Sequence, residues 1–404
     1  MHRRENHLKI DFTFILINVK SIFMIVRGFW ITRLRQVWER VPIVWLAGVR
    51  RVGKTTLVRS LPEAECLYVN CDSPRAAQSV ADPEFFFHQV KQPIVIFDEV
   101  HQLPDPTRLL KIGADVFPQL RIAATGSSTL AAAKKFRDAL TGRKRVVCLW
   151  PVLFSELAAF GDLKLDHRLL RGGLPPVLLA PKPDPDFYSE WLDSHFARDV
   201  QELFGIAKRS GYMALLQILL RQSGGLLDLS KLATQTGLSR PTVTHYLEVC
   251  ETTLTVRLVR PFHAGKAREW THQPKAYAFD TGFICHARGW DSLRTDDCGP
   301  LWEHLVLDTL LSVEAPSKVL FWRDHQQREV DFVVLRGRDT VDAYECKWSA
   351  LEPDLRNVRA FRAAYPQGRN FLVVPQRADA QTVRIEGLEV RVISPADLMP
   401  KDLK

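Results

Sequence analysis

At 404 residues the chain is long enough for two to three domains of roughly 150 residues each. With 46% hydrophobic and 25% charged residues, 10 Trp and 22 Phe, it cannot be a disordered, collagenous or coiled-coil polypeptide. Fifty-five Lys and Arg against 46 Asp and Glu leave a net charge of +9, which permits nucleic acid, phosphate or acidic surfaces as partners without requiring any. Seven scattered Cys, with no C-x-x-C pair, argue against a disulfide framework and a structural zinc site and point to a reducing cytoplasm.

The apolar stretch 12–26 (FTFILINVKSIFMIV) is broken by Asn18 and Lys20 and lacks small cleavage-site residues. It falls short of the ~18 apolar residues of a spanning helix, so neither an export signal nor a membrane anchor is expected. From Met24 the sequence reads as a short amphipathic helix leading into a strand, and residues 1–23 are expected to be an extension unrelated to the fold.

The apolar run 42–47 (PIVWLA) has buried-strand character and feeds Gly48-Val49-Arg50-Arg51-Val52-Gly53-Lys54-Thr55-Thr56, followed by a helical LVRSL. This is G-x-x-x-x-G-K-[ST] in its strand-loop-helix context, the pattern of a loop that wraps ATP. Glycines let the backbone N–H groups close on phosphates, Lys54 is placed for the β- and γ-phosphates, and the Thr55 hydroxyl for Mg²⁺. A second apolar run, 93–97, ends in Asp98-Glu99. There Asp98 is expected to hold Mg²⁺ through its water shell and Glu99 to orient or activate the attacking water. A third strand, 120–124, ends in Thr125-Gly126-Ser127-Ser128 at the same sheet edge, small polar groups suited to sensing a γ-phosphate. Arg143 precedes a strand at 146–150; it is either a guanidinium that reaches the nucleotide of a neighbouring subunit or a surface arginine. The loop is not G-x-G-x-x-G, which excludes a dinucleotide enzyme.

Residues 151–204 read as helical with loops, and Pro181-Lys182-Pro183-Asp184-Pro185 is the clearest linker. His195 and Asp199, at i and i+4, have no third ligand nearby, and a solvated or structural role is expected rather than a metal site. Residues 229–247 read as helix, turn at Gly237, and a second helix capped by Ser239 with Pro241 in its first turn. With the strand TLTVRLVRP, the basic Lys266 and Arg268, and the strand 275–280, this forms a candidate winged helix. Its groove-facing residues would be Ser239, Arg240, Thr242 and His245; the competing reading is a winged helix used for protein packing.

The last third has the order α-β-β-β-α-β. Asp331 in EVDF, with Glu345 and Lys347 at alternate positions of the next strand, fits D…E-x-K, which brings two carboxylates and a lysine to one face. Hard oxygen ligands from Asp331 and Glu345, with helical Glu303 added, suit Mg²⁺ or Mn²⁺, and Lys347 suits orienting or activating a water. A restriction-endonuclease-like α/β domain is expected, either cutting nucleic acid or binding without cutting.

Taken together, these residues resemble the AAA+ type, archaeal-like ATPases that carry a winged helix and a C-terminal nuclease-like domain of uncharacterised function. The likeness runs from Met24 onward through the phosphate loop, Phe97-Asp98-Glu99, Thr125-Gly126-Ser127-Ser128, Leu140-Thr141-Gly142-Arg143, Gly172-Gly173-Leu174-Pro175, Arg198-Asp199, Phe279-Asp280-Thr281-Gly282, and the Asp331, Glu345 and Lys347 elements. The resemblance implies Mg²⁺-dependent ATP binding and hydrolysis, Ser127 as sensor and Arg143 as candidate finger. Val49 stands where the group usually has proline, and Pro176 where an acid commonly follows. The expected organisation is an ATP-binding domain at 24–160, a helical and winged-helix region at 161–285 and the nuclease-like domain at 286–404. The expected partners are ATP and DNA, with a possible homo-oligomer and no membrane.

Overall fold

The computed structural model of the chain describes residues 25–126, 140–206, 208–262, 273–349, 353–375, 380–385 and 387–400. The stretch 1–24, Ser127, Ser128, Lys266 and Arg268 therefore lie outside the described residues. Among those described, no helix is long and apolar enough to cross a membrane.

Helix α1 (Gly28–Trp38) buries Trp30, Leu34 and Trp38 and leads into a five-stranded parallel sheet of order β2-β3-β4-β1-β5. Its strands are β1 (Ile43–Ala47), β2 (Cys66–Asn70), β3 (Ile94–Asp98), β4 (Arg121–Thr125) and β5 (Lys144–Cys148). β1 and β3 are buried along their whole length, as strands covered on both faces by crossover helices must be. Alternate residues serve two cores: Ile43, Trp45 and Ala47 face one, with Val95, Phe97 and Leu110. Val44 and Leu46 face the other, which continues without a break into the middle and C-terminal parts of the chain. The fifth strand begins two residues before the expected 146, so Arg143 sits just ahead of it.

The middle contains α3 (Leu165–Arg171), α4 (Phe187–His195), α5 (Arg209–Arg221), α6 (Leu229–Thr236) and α7 (Arg240–Thr252). Gly237, at φ +65°, turns the chain between α6 and α7, and the Ser239 hydroxyl accepts the Thr242 N–H at 3.3 Å. Strands β6 (Gly225–Leu226), β7 (Val256–Pro261) and β8 (Lys275–Ala278) complete an α-β-α-α-β-β unit.

Beyond β8, β7 has a second partner. β7 pairs in parallel with β9 (Val319–Arg323) through Arg260–Leu320 and Pro261–Phe321. The result is one mixed nine-stranded sheet of order β13-β14-β12-β11-β10-β9-β7-β8-β6. It holds the expected β10 (Glu329–Leu335), β11 (Val341–Cys346) and β12 (Asn370–Val373), and adds the hairpin β13 (Gln381–Ile385) and β14 (Leu388–Ile393). Helices α8 (Thr281–Arg288), α9 (Thr295–Val313) and α10 (Arg356–Ala364) pack on it. Residue 285 lies within α8, and the nine-stranded sheet takes strands from both sides of it.

Candidate nucleotide-binding site

The phosphate loop 48–53 leaves the C-terminal end of β1 and enters α2 (Lys54–Arg59). Gly48 has φ +154°, and a Cβ there would lie 2.8 Å from the Leu149 carbonyl, so only glycine lets the chain turn out of the sheet at this point. Lys54 folds back over the loop, its Nζ donating to the carbonyls of Gly48 at 2.9 Å and Val49 at 3.2 Å. Burial pushes this ammonium below its ordinary pKa, while Glu99 and Asp199 act in the opposite sense.

The loop opens on a cavity of about 690 Å³ whose walls include Lys54, Thr55, Glu99, Arg198 and Asp199. Glu99 follows β3 in the left-handed conformation (φ 54°), rare for a non-glycine residue. Its backbone N–H donates to Thr125 Oγ1 at 3.0 Å, and its Oε2 lies 3.3 Å from His101 Nδ1. Asp98 is buried behind that wall. The Thr125 hydroxyl donates to its Oδ1 and the Tyr68 hydroxyl to its Oδ2 at 2.7 Å. Thr125, read in the sequence only as part of a small polar run, is thus the residue that fixes both acids. Ser127, the expected sensor, lies outside the described residues.

The opposite wall comes from the middle of the chain. After α4 the helix widens into one π turn, Phe196–Gln201, a geometry frequent at functional sites. It presents Asp199 to the loop: Arg50 donates to its carboxylate from Nε at 2.6 Å and Nη2 at 3.3 Å, and His195 Nδ1 lies 3.4 Å away. Burial opposes the Asp199 charge, but the hydrogen bonds from His195 and Arg50 hold its pKa below the ordinary value. Trp191 Nε1 donates to the Arg50 carbonyl at 3.0 Å, and its ring stacks on His195 and Phe279. His195 and Asp199 therefore have the structural role weighed for them, with an added one: they hold the phosphate loop. Arg198, exposed on the same turn, lines the cavity. The sequence signals for this wall were His195 and Asp199 at i and i+4 and the Arg198-Asp199 pair within the resemblance; neither shows that the wall faces the loop.

Arg143 stands at the other end of the sheet. It precedes the N-terminal end of β5, whereas the loop leaves the C-terminal end of the parallel β1, and its guanidinium pairs with Asp115 at 2.5 Å and 3.0 Å. It does not reach the cavity of its own chain.

A second constellation forms where β8, β10, β11 and α9 meet. Lys347 Nζ is 2.8 Å from Glu345 Oε1, while the buried Glu345 Oε2 has no hydrogen-bond partner among the described residues. Asp331, beside a register shift in β10, accepts the Cys346 N–H at 2.7 Å. Burial and then the Glu345 charge push the Asp331 carboxyl up to about 7; burial and then Asp331 do the same to Glu303. The four expected residues do come together. The ligand set does not: among the described residues no three His, Cys, Asp or Glu stand so that they could hold a metal ion. Lys275 of β8 reaches into the same cluster. Its Nζ lies 2.5 Å from Glu329 Oε1 and 3.3 Å from Glu303 Oε1, and the Tyr277 hydroxyl donates to that same Glu303 oxygen.

Comparison with known proteins finds three family matches along the chain. Residues 40–158 match the family model described as an AAA domain, and residues 162–294 and 298–392 match two models each described as a domain of unknown function (DUF8612 and DUF4143). The chain is 28% identical to an uncharacterized protein of Mycobacterium tuberculosis over 356 residues, 85% of this chain and 78% of that protein. An uncharacterized protein of Methanocaldococcus jannaschii is 22% identical over 321 residues, 71% of this chain and 70% of that one. Among solved structures, RuvB of Thermotoga maritima aligns with 65% of this chain and 94% of its own at 15% identity and a TM-score of 0.28. The phosphate loop, its parallel sheet and the AAA match all fall on one stretch of the chain, and that stretch is similar to the P-loop ATPase domains.

Proposed function

We propose that the chain is a Mg²⁺-dependent ATPase with three parts: an ATP-binding unit at 24–160, a helical and winged-helix part at 161–285 and a nuclease-like part at 286–404. The observation that carries the reading is Lys54, turned back onto the loop carbonyls at the mouth of a cavity that Glu99 faces. The loop N–H groups and Lys54 would take the phosphates. Thr55 and Asp98 are hard oxygen donors that suit Mg²⁺, Asp98 acting through its water shell; the ion, when bound, neutralises phosphate charge. Glu99, held by Thr125, orients the attacking water and accepts its proton. Arg143 serves as a finger only toward a second copy of the chain, so turnover per chain would then rise with protein concentration.

ATP turnover with Mg²⁺, with and without DNA, tests this. Lys54→Ala is expected to lose nucleotide binding. Glu99→Gln is expected to keep binding and to lose about 10²-fold or more in turnover; turnover at the parental rate would overturn the role of Glu99.

For the rest of the chain, one observation favours a binding switch over a nuclease. With Lys275 lodged among the carboxylates, no metal-assisted cleavage step is assigned to Glu303, Asp331, Glu345 and Lys347. In this reading ATP sets the conformation. The exposed Ser239, Arg240 and His245, with the half-buried Thr242 beside them, offer a face for DNA. DNA that stimulates turnover and stays intact on a gel supports the switch, whereas cleavage lost in Asp331→Ala would establish the nuclease.

A further inference from the structure

The carboxylate cluster of the C-terminal sheet is overloaded with negative charge, and the cation it meets comes from another part of the chain. Glu303, Glu329, Asp331 and Glu345 converge from α9, β10 and β11. Lys347 serves Glu345, and Arg323 lies 3.2 Å from Glu329 Oε2. Between Glu303 and Glu329 lies the ammonium of Lys275, a β8 residue whose side chain is only 6% exposed. Its place is built. The Nζ lies 6.0 Å from the Tyr277 ring centroid and 5.6 Å from that of Phe321, two faces that favour a cation. The strand that delivers it is fixed through β7 to β9. Among the described residues the buried Glu345 Oε2 has no hydrogen-bond partner, as expected of a group shaped to meet a further positive charge.

We infer that Lys275 is a resident counter-cation occupying the position a divalent metal would take, so that the cluster admits metal only when this lysine withdraws. The inference rests on the proposal above that residues 286–404 are nuclease-like in build, and not on cleavage by them. It also makes the winged-helix segment the keeper of that site, because Lys275 belongs to its hairpin and not to the nuclease-like strands.

The test is Mn²⁺ binding to the full-length, nucleotide-free chain, followed by the loss of the free-ion electron paramagnetic resonance signal. Lys275→Met is expected to bind Mn²⁺ about tenfold more tightly than the parent or better. Lys275→Arg, which keeps the charge, should stay at the parental affinity, and the gain should vanish in the double variant Lys275→Met with Asp331→Asn. Glu329→Gln, which removes the nearer carboxylate while leaving Glu303, Asp331 and Glu345 in place, should show the same gain in smaller measure and serves if Lys275→Met does not fold. Parental affinity already equal to that of Lys275→Met, and lost in Asp331→Asn, would overturn the inference while leaving a metal site intact. No Asp331-dependent binding in any variant would overturn both the inference and the metal reading of the cluster. ATP binding, measured on the same samples, reports separately on the phosphate loop.

Discussion

Asp331 shows how a single residue carries a site's electrostatics into the stability of the protein. Its carboxyl is pushed from an ordinary 3.8 to about 7, first by burial and then by Glu345. The folded chain therefore holds a proton that the unfolded chain releases at lower pH. Stability is lost as pH rises from about 4 toward 7, and the whole cost is present above that window. Asn at this position can still accept the Cys346 N–H and carries no charge. Asp331→Asn is accordingly expected to raise the thermal midpoint by roughly 2–4 °C at pH 8 and to leave it unchanged near pH 4. Equal shifts at both pH values would mean that charge is not the cause.

Among the elements, the π turn after α4 has the clearest consequence. A regular helix would carry Asp199 around to a different face; the widened turn points it at Arg50 of the phosphate loop, 149 residues earlier. The pair is half-buried, so removing either member strands the other in a poorly hydrated wall. Asp199→Ala and Arg50→Ala should each lower unfolding free energy by about 1–3 kcal/mol. The double variant should cost less than the sum, with a coupling of ~0.5–3 kcal/mol in a double-mutant cycle by urea unfolding. Additive effects would mean that the turn does not hold the loop. His195 extends the contact to Tyr212 of α5 at 3.2 Å, so the loop is joined to α5, which packs on α6 and α7.

For the molecule as a whole, the decisive feature is a buried ionic knot. Arg168 of α3 is fully buried; it donates to the Val152 carbonyl at 2.8 Å and to Thr281 Oγ1 at 3.0 Å, and lies 3.6 Å from Asp308. Arg257 of β7 pairs with the other Asp308 oxygen. Asp280 accepts the N–H groups of Gly173 at 2.6 Å and Gly282 at 2.9 Å, and it packs so closely on Gly172 that a Cβ there would collide with the carboxylate. Segments near residues 152, 168, 257, 280 and 308 thus close on one another, and the Gly172-Gly173 and Asp280-Thr281-Gly282 motifs prove to be two halves of one contact. Asp308→Ala would leave two arginines without their shared anion and is expected to cost about 3–5 kcal/mol. Calorimetry should show one unfolding transition in the parent, because all three stretches share this knot and one continuous core. Separate melting of an N-terminal unit in the parent would contradict that.

The phosphate loop, its strand and helix, the acids ending β3 and the order of the C-terminal elements were legible in the residues alone. In each, the chemistry is packed into a few neighbouring positions, where period and spacing carry it. Loop function in particular needs only nine consecutive residues, because backbone N–H groups and one lysine do the binding. What only the tertiary structure decided lies between distant positions. Asp199 joins the loop through a π turn that no period announces. Thr125 reaches from β4 to the Asp98 carboxylate and the Glu99 backbone N–H, and Lys275 crosses from one segment into the carboxylates of another. The nine-stranded sheet joins strands from both sides of residue 285, which no local pattern announces. A side chain's partner is set by burial and by the need of a buried charge for an opposite one, and that need is met wherever the fold brings the groups together, not where the sequence places them.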